Sequence, residues 1–278
     1  MKNNDSDLPI GIFDSGVGGL TVLKEIKTIM PKESIIYLGD TARVPYGTRS
    51  EETIKRYSSE CANFLFGRGI KLLVIACNTA SAISLEYIKE LIPVPVIGVI
   101  EPGAISAVSQ TKNKKVGIIG TEATIKSMAY KKAIHALDST IEVFSKACPL
   151  FVPLVEEGWT SGEVAERVVN IYLNDLVKNH IDCLVLGCTH YPLLKGVIKE
   201  IVGKDIVLVD SAIETAKAVR QALYSNNLVN NSDDNSGVKY FVTDSGQRFI
   251  TVGGCFLGEE IKDIEVVTLN KDRRIDAS

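Results

Sequence analysis

Two cysteines, Cys77 and Cys188, occupy matching positions in the chain, 111 residues apart and each at the end of an apolar segment. Each is preceded by a small residue and followed by polar ones, which are Asn78 and Thr79 after the first cysteine and Thr189 and His190 after the second. A thiolate at the end of a buried strand can act as a base or a nucleophile. Because the arrangement occurs twice, we expect two thiols that face one another across a single cleft. Such a pair suits a reaction that needs a base on one face of a carbon atom and an acid on the other.

The polar neighbours of the cysteines fit this chemistry. A free thiol has a pKa of about 8.5 and is mostly protonated at neutral pH, but the N-terminus of a helix lowers the pKa of a thiol beside it. Both cysteines directly precede predicted helices, so we expect lowered thiol pKa values. His190 can hold or relay a proton, and Asn78, Thr79 and Thr189 can donate hydrogen bonds to a carboxylate.

Further polar residues follow other apolar segments. Asp14 ends the first of them and opens a glycine-rich turn, whose amides can be aimed at an anion. The turn lacks the GxGxxG and GK[ST] patterns, so it indicates nucleotide binding only weakly, and a glycine-rich turn with an Asp cap is the alternative. Asp14 itself can accept a proton or bind an ammonium group. The segment Pro45-Tyr46-Gly47 is a candidate wall for a small ligand.

Two glutamates are candidates for a helper carboxylate, whereas the histidines do not indicate a metal site. Glu156 and Glu157 end an apolar segment, and one of them could reach the cleft to orient His190, although two solvated carboxylates are an equal alternative. The three histidines lack carboxylate partners at ligand spacing, so no metal site is predicted. No lysine lies in a recognisable Schiff-base setting, and we expect no cofactor.

Composition limits the class of protein. The chain has 278 residues, 45% of them apolar and 23% charged, which is ordinary for a globular protein with one or two domains. A net charge of −3 gives no bulk attraction to nucleic acid or to an anionic membrane. The apolar runs are too short to span a bilayer, and the polar N-terminus is unlike a secretory signal. With six cysteines best explained as free thiols, we expect a reduced, cytoplasmic protein.

Short apolar segments alternate with longer amphipathic ones, which is typical of a parallel sheet covered by helices on both faces. The predicted strands cover residues 10–13, 35–38, 72–76, 96–99, 116–119, 142–144, 184–187, 206–209 and 239–242. The predicted helices cover residues 19–30, 51–68, 80–91, 127–137, 162–178, 193–202 and 213–224. Ligands of such sheets bind beyond the carboxyl ends of the strands, which is where both cysteines fall.

The two halves of the chain match one another beyond the cysteines. Residues 10–15 match residues 116–121 at an offset of 106, and residues 96–101 loosely match residues 206–210. The repeat predicts an α/β fold of two pseudo-symmetric parallel-sheet domains with the site in the cleft between them. We place the first domain at residues 1–99 plus 211–278, whose C-terminal segment packs back, and the second at residues 100–210. The polar residues 226–237 are predicted to form a mobile loop.

Several segments together resemble the glutamate racemases of the cofactor-independent Asp/Glu racemase family. They occur in the expected order and spacing over residues 10–193, and no motif position departs from the family pattern. The matching segments are Gly11-Ile12-Phe13-Asp14-Ser15-Gly16-Val17-Gly18-Gly19-Leu20, Gly39-Asp40, Pro45-Tyr46-Gly47, Ala76-Cys77-Asn78-Thr79-Ala80-Ser81 and Leu186-Gly187-Cys188-Thr189-His190-Tyr191-Pro192-Leu193.

The resemblance implies a cofactor-independent enzyme that interconverts L- and D-glutamate and supplies D-glutamate for peptidoglycan. It implies that Cys77 and Cys188 are the acid–base pair, assisted by Asp14 and His190. Glu156 is a better match than Glu157 for the family's helper carboxylate. The substrate contacts that it implies are Asp14, Ser15, Tyr46, Gly47, Asn78, Thr79, Thr121, Thr189 and His190, with Thr124 as a further candidate. The resemblance also allows a homodimer.

Three alternatives remain at this stage. The first is a relative in the same superfold, such as an aspartate or hydantoin racemase or a malonate decarboxylase, although the decarboxylase needs only one cysteine. The second is a hydrolase with Cys188 as nucleophile and His190 as base, which leaves Cys77 unexplained and needs contact between residues only two apart. The third is a non-catalytic module that binds a small dicarboxylate.

Overall fold

The computed structural model describes residues 5–231, 237–244 and 246–269. In these ranges the strands are β1 (Ile10–Asp14), β2 (Ile35–Gly39), β3 (Leu72–Ile75), β4 (Val96–Gly98), β5 (Lys115–Gly120), β6 (Glu142–Ala147), β7 (Cys183–Gly187), β8 (Val207–Asp210), β9 (Val238–Val242) and β10 (Ile264–Val266). The helices are α1 (Leu20–Ile29), α2 (Glu51–Phe66), α3 (Asn78–Leu91), α4 (Ile100–Gln110), α5 (Glu122–Ser127), α6 (Ala129–Leu137), α7 (Phe151–Glu156), α8 (Glu163–Val177), α9 (Lys195–Val202), α10 (Ser211–Ser225) and α11 (Gly246–Leu257).

The strands form two sheets in which every pair is parallel. The first sheet has the order β10-β9-β2-β1-β3-β4 and the second has the order β6-β5-β7-β8. This arrangement confirms the predicted α/β fold with two parallel sheets. Every predicted strand overlaps an observed one. The central strands β1, β2, β3 and β7 are buried along their whole length, which explains why their sequences are mainly apolar and easy to recognise.

Among the elements of the described ranges, the prediction missed four helices and one strand. The missed helices are α4, α5, α7 and α11, and the missed strand is β10. Helix α4 carries Pro102 and Gly103 near its start, residues that usually mark a turn but that a first helical turn tolerates. Strand β10 has only three residues, all of them at least partly exposed, so it lacks an apolar pattern. Of the loop expected over residues 226–237, residues 232–236 lie outside the described residues.

The segment after residue 210 returns to the first sheet. Strand β9 pairs with β2 and β10 pairs with β9, while α10 packs against α1. Helix α4 contacts both α6 and α10, so it touches elements on either side of the expected boundary. The division into domains at residues 1–99 plus 211–278 and 100–210 stays a prediction.

The internal repeat is visible in side-chain packing. A Cβ atom on Gly11 would lie 2.7 Å from the Ile70 side chain, and one on Gly117 would lie 2.5 Å from the Ile181 side chain. The two glycines and the two isoleucines differ in number by 106 and 111, which are the offsets of the sequence repeat. An isoleucine therefore packs on the glycine of the first central strand in each sheet, which is Gly11 of β1 in one sheet and Gly117 of β5 in the other.

The site lies where the central strands end. Strand β1 pairs with β3, so Asp14 is beside the turn that carries Cys77. Strand β5 pairs with β7 through Gly120 and Gly187, so Thr121 is beside the turn that carries Cys188. Parallel pairing thus brings the residues that follow these strands to one edge of each sheet. Among the described residues, no helix is long and apolar enough to cross a membrane.

The opposite, amino-terminal side of the first sheet contains a buried ion pair. Lys71 Nζ lies 2.5 Å from Glu33 Oε2 and donates a hydrogen bond of 2.6 Å to the carbonyl of Ser6. Glu33 also accepts a hydrogen bond of 2.9 Å from the backbone N–H of Asn230. The pair therefore ties the N-terminal segment and the segment after α10 to the amino-terminal side of the sheet.

We expect Lys71→Met to destabilise the fold by about 3 kcal/mol, because removal of one partner leaves the Glu33 carboxylate buried without its counter-charge. The matched control is Lys89→Met, which breaks the largely exposed pair with Glu86 and should leave the unfolding midpoint unchanged. Urea unfolding followed by circular dichroism measures both. Equal midpoints for the two variants would show that the buried pair contributes nothing.

Candidate active site

The two cysteines occupy turns that the sheets hold in place. Cys77 lies directly before the first residue of α3, and its Sγ lies 3.6 Å from Ser15 Oγ. Cys188 follows β7, and its Sγ lies 3.9 Å from His190 Nδ1. Both thiols are almost completely buried, with 5% and 7% of each residue exposed. They are close enough for their charges to interact.

The expectation that both cysteines directly precede α-helices is correct only for Cys77. Cys188 leads instead into a short 3₁₀ segment, Tyr191–Leu194, and α9 begins only at Lys195. The expected lowering of the thiol pKa is also wrong for Cys77, because burial and the nearby carboxylate of Asp14 raise the pKa of Cys77 to about 12. A helix N-terminus is thus outweighed by loss of water and by a like charge.

Asp14 is fully buried and connects the two halves of the site. Its Oδ2 accepts a hydrogen bond of 2.8 Å from the backbone N–H of Gly16, and its Oδ1 accepts one of 3.4 Å from Thr189 Oγ1. The backbone N–H of Gly19 also donates to this carboxylate. The glycine-rich turn therefore uses these amides to bind its own aspartate, as in the alternative of a capped turn. Burial raises the pKa of Asp14, and the charge of His190 opposes that rise.

The turns that follow β1 and β7 touch directly at Gly18. A Cβ atom there would lie 2.2 Å from Thr189 Oγ1 and 2.7 Å from His190 Nδ1, distances that no side chain could occupy. Gly18 therefore has to lack a side chain for these two turns to approach one another. Ser15 lies beside Cys77, so the glycine-rich turn contacts the turns of both cysteines.

His190 lies between Cys188 and a carboxylate. Its Nε2 is 3.3 Å from Glu156 Oε1, while Glu157 is largely exposed and contacts Arg248 of α11. Arg248 also lies 3.6 Å from Glu156 Oε2. Burial alone would lower the pKa of His190, but its hydrogen bonds to Cys188 and Glu156 raise that pKa to about 10. The hydrogen bond to His190 in turn lowers the pKa of Glu156 in spite of burial. The geometry thus favours Glu156 over Glu157 as the partner of His190.

Three threonine hydroxyls form a closed cluster across the cleft. Thr79, Thr121 and Thr124 lie within hydrogen-bond distance of one another, at 2.9, 3.2 and 3.0 Å. Thr121 also accepts a hydrogen bond from the Thr124 backbone N–H and so caps α5. A Cβ atom on Gly47 would lie 2.5 Å from Thr121 Cβ, so the segment around Gly47 rests on the start of α5.

Tyr46 is buried, and its hydroxyl is bound within the protein. It donates a hydrogen bond to Asp40, a residue of the resembling segment to which the sequence assigned no role. Asp40 also accepts hydrogen bonds of 2.6 Å from Arg43 Nε and 2.9 Å from Thr243 Oγ1. Asp40 directly follows β2, so its place at the carboxyl end of a strand is the signal that could have identified it. It holds the loop that carries Tyr46 and Gly47.

Asn78, the first residue of α3, has an amide group with only one of its two ends paired. Its Oδ1 accepts a hydrogen bond of 2.7 Å from Tyr130 Oη, while its Nδ2 is buried and has no partner. A buried donor without a partner is costly unless a ligand satisfies it. Tyr130 comes from α6 and follows none of the strands, so no pattern in the sequence indicated it.

A cavity of about 280 Å³ opens beside the site. It is bordered by Val44, Gly47, Thr121, Val152 and Glu156, among others, and neither thiol lines it. The cavity therefore leads to the threonine cluster and the His190–Glu156 pair from outside. Within the described ranges, no group of three or more His, Cys, Asp and Glu residues could hold a metal ion.

Comparison with known proteins identifies the family. Residues 10–219 match the model of the Asp/Glu/hydantoin racemase family. The chain is 54% identical to glutamate racemase of Geobacter metallireducens over 264 residues, which is 95% of this chain and 98% of that protein. It superposes with a TM-score of 0.89 on glutamate racemase of Francisella tularensis in complex with D-glutamate, at 40% identity over 98% of this chain and 100% of that chain. For an isoform from Bacillus anthracis the TM-score is 0.90, at 42% identity over 95% and 98% of the two chains. The resemblance found in the sequence is therefore confirmed, and the chain belongs to the Asp/Glu/hydantoin racemase family of isomerases.

Proposed function

We propose that this protein is a glutamate racemase in which Cys77 and Cys188 exchange the roles of acid and base. The observation that carries the proposal is the pair of buried thiols at the ends of β3 and β7, which are near enough to interact and are surrounded by hydrogen-bond donors. The complex of the Francisella tularensis relative with D-glutamate supports glutamate as the substrate.

The reaction needs a site of this kind. Removal of the α-proton of an amino acid leaves a carbanion, and no electron sink is expected here. Fixed donors must therefore bind the carboxylate, and exclusion of water must strengthen them. The free Nδ2 of Asn78 and the hydroxyls of Thr79 and Thr189 are buried donors beside the two thiols. We assign them to the substrate carboxylates, with Ser15, Tyr46, Gly47 and Thr121 as further contacts.

Each thiol has a titratable partner. A raised pKa makes Asp14 a better proton acceptor, so we propose that it takes the proton of Cys77 and removes the charge that opposes the thiolate. On the other side, the imidazolium of His190 at 3.9 Å stabilises a thiolate at Cys188. Glu156 keeps His190 protonated and oriented. Two thiols with different helpers thus perform the same step in opposite directions.

The substrate has to reach thiols that are buried. The contacts of Thr121 with Thr79 and with Gly47 join the two sides of the cleft next to the cavity. We propose that these contacts separate to admit glutamate from the cavity and re-form around it. Water is then excluded while the α-carbon lies between the thiols.

The alternatives differ in what they leave unexplained. The contact that a hydrolase needs between Cys188 and His190 is present, because their side chains lie 3.9 Å apart. A hydrolase would still leave the matched Cys77 without a role. An aspartate racemase from Picrophilus torridus is only 21% identical and shows the fold alone. A role in peptidoglycan synthesis and a homodimer are proposed from the resemblance, and a cytoplasmic location is proposed from the six cysteines.

We expect Cys77→Ala and Cys188→Ala each to lower the rate of racemisation about 1000-fold or more in both directions. The reason is that each thiol is the base in one direction and the acid in the other. Formation of either enantiomer is followed by circular dichroism of glutamate. Cys255→Ala, at an exposed position on α11, is the control and should keep full activity. Near-normal turnover of either active-site variant in a folded protein would exclude the two-thiol mechanism.

The source of the incoming proton can be tested in heavy water. If two thiols flank the α-carbon, the delivering S–H exchanges with solvent before the substrate binds. The first D-glutamate formed from L-glutamate should therefore carry deuterium at Cα, while the remaining L-glutamate stays largely unlabelled. Mass spectrometry of the separated enantiomers at early times measures both. Retained protium in the early D-glutamate would indicate a single base.

We expect Glu156→Gln to reduce kcat/KM about tenfold at pH 9, with a smaller effect at pH 7. Glu156 is one of the groups that raise the pKa of His190 to about 10, so its loss lets His190 lose its proton at a lower pH. The basic limb of the pH profile of kcat/KM should therefore move to lower pH. Glu157→Gln removes a carboxylate that contacts Arg248 and should leave the profile unchanged. Identical profiles for both variants would contradict the role of Glu156.

A further inference from the structure

Tyr130 contacts both of the turns that carry the active-site cysteines. Its hydroxyl donates a hydrogen bond of 2.7 Å to Asn78, the residue after Cys77. Its ring covers Gly187, the residue before Cys188, where a Cβ atom would lie 3.1 Å from Tyr130 Cε2. The tyrosine is buried and comes from α6, so it reaches the first cysteine turn from outside the first sheet.

Glycines make room for this side chain. A Cβ atom on Gly103 of α4 would lie 3.0 Å from the Tyr130 ring and 3.2 Å from its hydroxyl. A Cβ atom on Gly187 would also lie 2.6 Å from the carbonyl oxygen of Ile119. The close packing of β7 against both Tyr130 and β5 therefore requires a small residue before Cys188. The match between the two cysteine segments of the sequence does not reveal this reason.

The hydrogen bond of Tyr130 determines the orientation of the Asn78 amide. The phenol proton of Tyr130 points toward Oδ1 of Asn78, and the phenol lies beside Ser211, the first residue of α10. Burial also keeps that phenol protonated, because it raises the pKa of Tyr130 well above its usual value. A donor opposite the amide requires Oδ1 at that position, since Nδ2 has no lone pair to accept with.

The opposite end of the amide is then fixed as a donor. Nδ2 is buried, has no partner in the protein and belongs to the residue directly after Cys77. If the amide turned over, Oδ1 would take that place and would repel a substrate carboxylate. The hydroxyl of Tyr130 therefore decides whether Asn78 attracts or repels the substrate.

We propose that Tyr130 is a positioning residue for this reaction, which acts by holding the Asn78 amide with its Nδ2 toward a carboxylate of the substrate. The inference rests on the proposed function and deepens it. Tyr130 does not contact the reacting atoms and acts only through Asn78. Its ring, seated on Gly187, keeps the two cysteine turns at a fixed separation.

Tyr130→Phe removes the hydroxyl and keeps the ring. We expect KM for both L- and D-glutamate to rise about tenfold, which is the scale of one hydrogen bond to a charged group, while kcat changes less than about threefold. Because the two enantiomers have equal free energies, kcat/KM must fall by the same factor in both directions. Tyr240→Phe is the matched control, since it removes a buried hydroxyl of β9 outside the cleft and should leave KM unchanged.

A double-mutant cycle separates positioning from a general structural effect. If Tyr130 acts through Asn78, then Tyr130→Phe should change KM less than about twofold in an Asn78→Ala background. If the hydroxyl only supports the fold, the tenfold factor should appear in both backgrounds, and that result would overturn the proposal. An unchanged KM in the single variant would overturn it as well.

A second variant keeps the test decisive if Tyr130→Phe does not fold. Asn78→Asp leaves the tyrosine in place and still accepts its hydrogen bond, but it puts an oxygen where the unpaired Nδ2 stood, so KM should again rise. An unchanged KM for Asn78→Asp would then overturn the inference. Failure of the wild-type protein to form D-glutamate from L-glutamate would overturn the proposed function itself, whereas wild-type racemisation with an unaffected Tyr130→Phe variant overturns only the role of Tyr130.

Discussion

The close approach of two turns at Gly18 is the constraint on which the site depends. The turn after β1 meets the turn after β7 so tightly that a side chain at Gly18 would overlap Thr189 and His190. Asp14 reinforces the contact, because its buried carboxylate binds the amide of Gly16 on one side and the hydroxyl of Thr189 on the other. Each half of the chain can present one thiol, and this contact brings the two thiols into a single site.

Burial makes a charged thiolate costly in this site. Loss of water raises the pKa of Cys77 to about 12, so the thiolate that the proposed mechanism requires is disfavoured in the resting protein. The two thiols have different titratable neighbours, which are the buried carboxyl of Asp14 beside Cys77 and the His190–Glu156 pair beside Cys188. The backbone repeat is therefore close to symmetric while the proton chemistry around it is not. The same burial strengthens the donors that we assign to the substrate carboxylates, as the proposed reaction without an electron sink needs.

The residues that support the site come from regions without any motif. Asp40 holds the loop of Tyr46 and Gly47, Arg248 of α11 contacts Glu156, and Tyr130 holds the amide of Asn78. Each of them reaches the site from a different element, and none lies within six residues of a cysteine in the sequence. Their positions depend on how α6, α11 and the loop after β2 pack over the two sheets, and this explains how a chain with ordinary composition can form a buried polar centre.

The sequence by itself determined the parallel strands, the repeat and the two cysteine turns. It could do so because buried strands are continuously apolar and because residues that follow such strands share one edge of the sheet. Only the tertiary structure decided that Glu156 rather than Glu157 lies against His190, that the glycine-rich turn binds Asp14, and that burial raises the pKa of Cys77. It also decided the contact of Tyr130 with both turns. These features depend on distances between residues that are far apart in the chain and on how much water the folded protein excludes, and neither quantity is present in local sequence patterns.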